Sequence, residues 1–157
     1  MASDAQLVRE FTAESTGIEL PERPRPMSKE EVRFLAQMLI DELYEFVGTY
    51  ERSPKVLLHE LVDKGEREFE PIEGVELIAA QADALVDSYY YSLNAAAKAG
   101  CNLSKLFHVV HQANMNKRFP DGTFHRRPDG KVEKPPDWSP PGVTAEIESQ
   151  IKNGAWA

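Results

Sequence analysis

One stretch of the chain places acidic residues where an amphipathic helix would carry apolar ones. Residues 32–47 read VRFLAQMLIDELYEFV, and their apolar side chains recur at helical spacing: Val32, Leu35, Leu39, Leu43 and Phe46. On a helix that turns by about 100° per residue, Glu42 falls in the middle of this apolar stripe. Asp41 and Glu45 fall on one flank of the stripe. A carboxylate at such a position is predicted to face the core.

A core-facing carboxylate needs a partner, because moving an ionised carboxylate out of water costs several kcal/mol unless it is paired or binds a metal. The helix alone leaves two interpretations open. One is a salt bridge to a neighbouring helix, and the other is a metal-binding or catalytic role, for which perturbed carboxylates are frequent markers. A second acidic helix would favour the metal or catalytic role.

The second acidic helix is predicted from Pro71 to Ala99, a stretch rich in alanine that Gly100 would end. Beside its apolar stripe, four polar side chains follow one another at intervals of seven, four and seven residues, and this spacing aligns them along one edge: Glu76, Asp83, Asp87 and Asn94. The chain therefore carries two helices with acidic edges.

If these two helices pack together, four carboxylates can converge: Glu42, Glu45, Asp83 and Asp87. Hard oxygen ligands of this kind suit Mg²⁺, with Mn²⁺ as the alternative. A metal ion neutralises a triphosphate, and a metal-bound or carboxylate-held water can attack phosphorus. The predicted reaction is metal-assisted hydrolysis of a phosphoanhydride, with Glu42 and Asp41 as candidate catalytic carboxylates. A di-iron centre is disfavoured because the sequence has no Glu-x-x-His motif.

The chain has 157 residues, the size of one domain, and a single all-α domain is expected over residues 1–157. We predict a helical bundle of four to five helices with a core over residues 28–118. A Pro- and Gly-rich arm follows over residues 119–157, where two Pro-Asp-Gly turns flank a hairpin-like excursion at Thr123–Arg127. Besides the second acidic helix, helical stretches are predicted at 4–14, 28–50, 53–64, 103–118 and 145–153.

Charge and composition narrow the class of partner. The net charge of −8 argues against a nucleic-acid binder, and no apolar run approaches the roughly 20 residues of a membrane span. The first residues do not resemble a signal peptide and Cys101 is the single cysteine, so a reducing, cytoplasmic location is expected. From Lys105 to Lys134, seven Lys and Arg residues stand against three acids. This basic segment suits a phosphate ligand, or it is a solvated segment that docks on acidic helices.

Four blocks of sequence together resemble a known superfamily over roughly Phe11 to Pro141. The blocks are Asp41-Glu42-x-x-Glu45 preceded by Arg33, Asp83-Ala-Leu-Val-Asp87 followed by Tyr90, His111-x-x-Asn114-Met115-x-Lys117, and Asp129-Gly130-Lys131 with Lys134-Pro135-Pro136. They resemble the all-α nucleoside triphosphate pyrophosphohydrolases, which include the MazG-like and phosphoribosyl-ATP pyrophosphohydrolase-like proteins. The acidic pairs are weakly specific, whereas the last two blocks are much more so.

The resemblance implies the roles of individual residues in an all-helical bundle. Glu42, Glu45 and Asp87 would bind Mg²⁺, with Asp83 in or beside that shell. Asn114 and Lys117 would hold the phosphates of the substrate, with help from Lys131 or Lys134. The chain departs from the family pattern in having Ala84 where an acid is usual, Asp41 where Glu is usual and Asn94 where many relatives have Gly.

The expected protein is a homo-oligomer, a dimer or a dimer of dimers, because the two long helices offer more apolar edge than their short neighbours can cover. Its expected activity is hydrolysis of a nucleoside triphosphate, or a related nucleotide, to the monophosphate and pyrophosphate, in the service of nucleotide-pool cleansing. Two alternatives remain open: a non-catalytic nucleotide- or metal-binding protein of the same fold, which Ala84 favours, and a phosphoribosyl-ATP pyrophosphohydrolase. No residue indicates the base that is recognised.

Overall fold

The computed structural model describes residues 3–63 and 72–156, and its regular elements are helices. In chain order they are α1 (Asp4–Thr16), α2 (Lys29–Gly48), α3 (Pro54–Asp63), α4 (Gly74–Lys98), α5 (Leu103–Met115) and α6 (Val143–Asn153). The predicted all-α class is confirmed, and the six helices of the described ranges correspond to the six helical stretches predicted from the sequence, although the bundle was expected to contain four to five helices. Within those same ranges, no helix combines the length and apolarity needed to cross a bilayer.

The helix boundaries follow local capping chemistry. Ser28 and Glu31 form the predicted capping box of α2, in which the Ser28 N–H donates to Glu31 Oε2 at 2.6 Å and the Glu31 N–H donates to Ser28 Oγ at 3.2 Å. The predicted end of the third helix at Lys64 and the predicted start of the fourth at Pro71 lie outside the described residues. The final helix begins at Val143, two residues before its predicted start.

The chain divides into two compact units, which are named here for their central helices. The α2–α3 unit is Arg23–Val86, and the α5 unit is Met1–Glu22 together with Asp87–Ala157. The single domain expected from the sequence stays a prediction.

The α2–α3 unit carries exposed apolar side chains. Helices α2 and α3 pack against each other, and the Met27 N–H donates to the Gln81 side-chain oxygen at 2.8 Å. No described residue of α2, α3 or α4 is buried. Phe46 on α2 is 69% exposed and Val75 on α4 is 80% exposed. The amphipathic stripes form as predicted, but they face solvent in this chain.

The α5 unit is built on one helix, because α1 and α6 both pack against α5. Asn102 caps α5 by accepting a hydrogen bond from the Lys105 N–H, and its own N–H donates to the Gln150 side-chain oxygen at 2.8 Å. On the α1 side, Phe11 meets Phe124 edge to face with ring centres 5.5 Å apart. Every buried residue in the described ranges belongs to this unit: Ser15, Ala113, Pro135, Gln150 and Ala155.

The arm after α5 folds around the two Pro-Asp-Gly turns. Gly122 and Gly130 have φ values of 83° and 84°, a left-handed conformation that glycine adopts at little cost. Beyond the first turn the Glu133 N–H donates to the His125 carbonyl at 2.8 Å, and Arg126 and Val132 form an isolated antiparallel bridge. A hairpin is therefore present, but its paired residues lie on either side of the second turn and extend beyond the predicted Thr123–Arg127.

Candidate functional site

The predicted metal-binding and catalytic carboxylates lie on α2 and α4, and all of them are exposed: Asp41, Glu42, Glu45, Asp83 and Asp87. The prediction that Glu42 faces a core is wrong for this chain. Glu42 does share the apolar face of α2, but that face is itself uncovered, since Leu39 is 47% and Leu43 is 46% exposed. Asp41 accepts a hydrogen bond from the Gln37 side-chain amide at 2.8 Å.

These carboxylates have the right chemistry for a hard cation but not the arrangement of a complete ligand set. Mg²⁺ and Mn²⁺ favour oxygen donors, and carboxylates supply them. Yet across residues 3–63 and 72–156, no three His, Cys, Asp or Glu side chains lie close enough together to hold a metal ion. The Mg²⁺ site over Glu42, Glu45, Asp83 and Asp87 therefore stays a prediction.

The C-terminal end of α5 carries the other predicted site residues, and it ends three residues earlier than the predicted Arg118. The Lys117 N–H donates to the Asn114 carbonyl at 3.1 Å, a tight turn, instead of to the Ala113 carbonyl as a continuing α-helix would require. The Ala113 carbonyl is thereby left without a helical partner. Ala113 is 7% exposed, and a buried carbonyl without a partner costs about 1–3 kcal/mol.

Trp138 supplies the missing partner from the Pro-rich arm. Its indole Nε1–H donates to the Ala113 carbonyl at 2.7 Å. Two lysine ammonium groups lie over the Trp138 ring, with Lys134 Nζ 4.4 Å and Lys117 Nζ 5.8 Å from the ring centre. Each such cation–π contact contributes about 0.5–1 kcal/mol at an exposed site. Lys117 Nζ also donates to Asn114 Oδ1 at 2.8 Å. These four residues, Asn114, Lys117, Lys134 and Trp138, are called the Trp138 cluster below.

The Trp138 cluster has an excess of positive charge. Partial burial lowers the pKa of Lys117, and the nearby Lys134 ammonium lowers it further by repulsion. Neither lysine takes part in an ion pair within the described residues. Because Asn114 accepts from Lys117 through its carbonyl oxygen, its NH₂ group remains available as a donor. Two ammoniums over one ring, with an amide donor beside one of them, are suited to binding an anion.

Lys131, the fourth predicted phosphate ligand, occupies a different position. It follows the second Pro-Asp-Gly turn, where its N–H donates to Asp129 Oδ1 at 3.1 Å and its carbonyl accepts from the Arg127 N–H at 2.9 Å. Its side chain is exposed. The described contacts thus bring together Asn114, Lys117 and Lys134, and leave Lys131 on the hairpin.

Sequence reasoning missed Trp138. The residue stands in the stretch PPDWSPP, where a tryptophan between prolines is a local signal of an anchored arm rather than a solvated one. A cavity of about 660 Å³ opens beside the ring. Its lining combines two aromatic rings with polar side chains: Met115, Asn116, Arg118, Phe119, Pro120, Asp137, Trp138 and Ser139.

Comparison with known proteins supports the fold. Among solved structures, the chain is similar to a protein from Exiguobacterium sp. 255-15 described as a putative NTP pyrophosphohydrolase, with a TM-score of 0.80 and 28% sequence identity. The similarity covers 98% of this chain and 99% of that one. No family model matches the chain, and no curated protein matches it. The chain therefore has the fold of that protein over nearly its whole length.

The surroundings of Lys117 predict an unusual titration. Its pKa should lie below the ordinary value of a lysine, and Lys134→Ala should raise the pKa of Lys117 by removing the nearby positive charge. Because the folded-state pKa lies below the usual 10.5, the contribution of Lys117 to stability should increase as pH rises from its folded-state pKa to 10.5. NMR titration of the lysine side chains measures this directly. The matched control is Lys152→Ala on α6, and an unchanged Lys117 pKa in Lys134→Ala would contradict the repulsion.

Proposed function

We propose that the protein is a Mg²⁺-dependent nucleoside triphosphate pyrophosphohydrolase that releases a nucleoside monophosphate and pyrophosphate and serves to cleanse the nucleotide pool. The observation that carries the proposal is the Trp138 cluster, in which Lys117 and Lys134 meet on one ring without a carboxylate partner among the described residues. The similarity in fold to a protein described as a putative NTP pyrophosphohydrolase supports the same activity.

In this proposal the Trp138 cluster binds the polyphosphate of the substrate. Charge-assisted hydrogen bonds from Lys117 and Lys134 would neutralise phosphate oxygens, and the Asn114 amide would donate a further hydrogen bond. A local positive site also attracts the anionic substrate to a chain whose net charge is −8. The cluster thus provides the cations that a phosphorylated ligand requires.

The acidic edges of α2 and α4 would provide the rest of the chemistry. Glu42, Glu45, Asp83 and Asp87 are the carboxylates that would hold Mg²⁺, which when bound neutralises phosphate charge and polarises the phosphorus. Glu42 or Asp41 would orient the attacking water and accept its proton as a general base. The water attacks a phosphorus of the triphosphate, and the phosphoanhydride bond to pyrophosphate breaks.

A second copy of the chain would cover the exposed apolar faces of α2 and α4. Phe46 on α2 and Tyr90 and Tyr91 on α4 are 68–69% exposed, and large apolar surfaces on a chain of this size are typical of interfaces. Tyrosine suits such a position because it combines an apolar ring with a polar end. We propose a homodimer or a dimer of dimers, in which burial of the α2 face would also give Glu42 the desolvated surroundings that its position predicts.

A non-catalytic nucleotide-binding protein is the second candidate function. It is favoured by one observation, namely that the described carboxylates do not form a metal-ligand group within the chain. Such a protein would keep the Trp138 cluster and bind triphosphates without turnover. Pyrophosphate release from a panel of nucleotides in the presence of Mg²⁺ separates the two functions.

Glu42→Gln should reduce Mg²⁺-dependent pyrophosphate release at least about 100-fold, the usual contribution of a general base. The temperature of unfolding should stay the same or rise, because Glu42 is exposed in the single chain and, where a second copy covers the α2 face, loss of its charge removes a desolvation cost. Initial-rate assays and circular dichroism melts measure the two effects. Glu30→Gln, in the first turn of the same helix, is the matched control. Full turnover by Glu42→Gln would remove this residue from the reaction.

Lys117→Ala should lower kcat/KM roughly ten- to hundred-fold, because a charged hydrogen bond of about 1.5–3 kcal/mol is lost. Steady-state kinetics and calorimetric titration with a non-hydrolysable triphosphate give the activity and the affinity. Lys152→Ala should retain both. If Lys117→Ala binds the triphosphate as tightly as the natural chain, Lys117 does not contact phosphate.

The protein should be a dimer or tetramer at micromolar concentration, and Phe46→Glu should shift it towards monomer by placing a charge on the apolar face of α2. Light scattering coupled to gel filtration measures the mass. Ile151→Glu on α6 also adds a charge at an exposed apolar position and should leave the mass unchanged. A monomeric natural chain would contradict the proposed assembly.

A further inference from the structure

The position of Trp138 explains how two like charges are held together. Lys117 lies two residues beyond the end of α5, and Lys134 lies on the Pro-rich arm, so no local sequence constraint sets one beside the other. Their ammoniums repel each other, which is one cause of the lowered pKa of Lys117. Another contact must therefore fix the arm against α5.

The indole hydrogen bond is such a contact. The Trp138 Nε1–H donates to the Ala113 carbonyl at 2.7 Å, and the Trp138 backbone N–H donates to the Pro135 carbonyl at 3.0 Å. That turn begins directly after Lys134, and Pro135 is buried. The same indole that anchors the turn to α5 also offers its ring to Lys134 Nζ at 4.4 Å.

We propose that Trp138 is a positioning residue: by hydrogen bonding to the end of α5 it sets Lys134 beside Lys117, so that a diphosphate anion bridges the two ammoniums. This inference rests on the proposed function, because it assigns the phosphate-binding cluster a specific ligand class. Trp138 itself acts through Lys134 rather than on the reacting atoms.

The two tryptophans allow a direct test with inorganic pyrophosphate in the absence of metal. Trp156 is 68% exposed, so Trp156→Phe leaves Trp138 as the single indole at little structural cost. Adding pyrophosphate to Trp156→Phe should change the fluorescence of Trp138, since both ammoniums leave its ring for the anion. Trp138→Phe, which retains Trp156, should give no such change. A silent Trp138 during pyrophosphate binding would overturn the proposal.

A double-mutant cycle tests whether Trp138 acts through Lys134. Trp138→Phe keeps an aromatic ring but loses the N–H donor, and should weaken pyrophosphate binding roughly three- to ten-fold. In a Lys134→Ala background, the same change should cost less than about two-fold, because the residue that it positions is gone. Equal costs in the two backgrounds would assign Trp138 a merely structural role and overturn the proposal.

If Trp138→Phe loses helix content, a variant that keeps Trp138 tests whether Lys134 is responsible for the fluorescence change. Lys134→Met in the Trp156→Phe protein leaves the indole and its hydrogen bond intact, and it should lose most of the pyrophosphate-induced fluorescence change. An unchanged signal would contradict the proposal. The pyrophosphohydrolase activity is measured separately, as nucleotide turnover. If nucleotides are hydrolysed but Trp138 and Lys134 show no coupling in pyrophosphate binding, this inference alone is overturned. If the coupling is present but no nucleotide is hydrolysed, the proposed function alone is overturned.

Discussion

The arrangement of the α5 unit depends on one carbonyl group at the end of a helix. Because the last turn of α5 tightens at Lys117, the Ala113 carbonyl loses its helical donor in a position where water has little access. The Trp138 indole supplies the hydrogen bond and brings a Pro-rich segment with it. The same tightening turns Lys117 out of the helix and towards Asn114, so the end of the helix and the cation cluster have a common physical origin.

The chemistry proposed for the acidic edges of α2 and α4 needs desolvated surroundings, which the described residues of one chain do not supply. Burial of apolar surface contributes about 25 cal/mol per Å², and the stripes of α2 and α4 remain exposed. Water hydrates an exposed carboxylate and competes with a cation for its oxygens. Covering the apolar face around Glu42 would remove that water and strengthen the attraction between the Glu42 carboxylate and a cation. A desolvated Glu42 would then need a cation as partner, as its position in the sequence predicts.

Much of the architecture was predictable from local patterns. The all-α class, the capping box at Ser28 and the turns at Gly122 and Gly130 all follow from interactions between residues a few positions apart, and all are present. The end of α5 was predicted three residues too late, because Asn116, Lys117 and Arg118 are not strong helix breakers and Pro120 comes only after them. What ends the helix there includes a donor 25 residues away in the chain, Trp138, which no helical periodicity can reveal.

The sequence by itself determined which side chains share a helix face, because helical geometry relates residues three and four positions apart regardless of their surroundings. It therefore placed Glu42 on an apolar stripe and Asn114 one turn before Lys117. Only the tertiary structure decided what lies opposite those faces. It brought Lys134 to Lys117 through the indole of Trp138, left Lys131 on a hairpin, and left the stripe of α2 open to solvent. Contacts of this kind depend on the free energy of packing distant segments together, which local spacing does not encode.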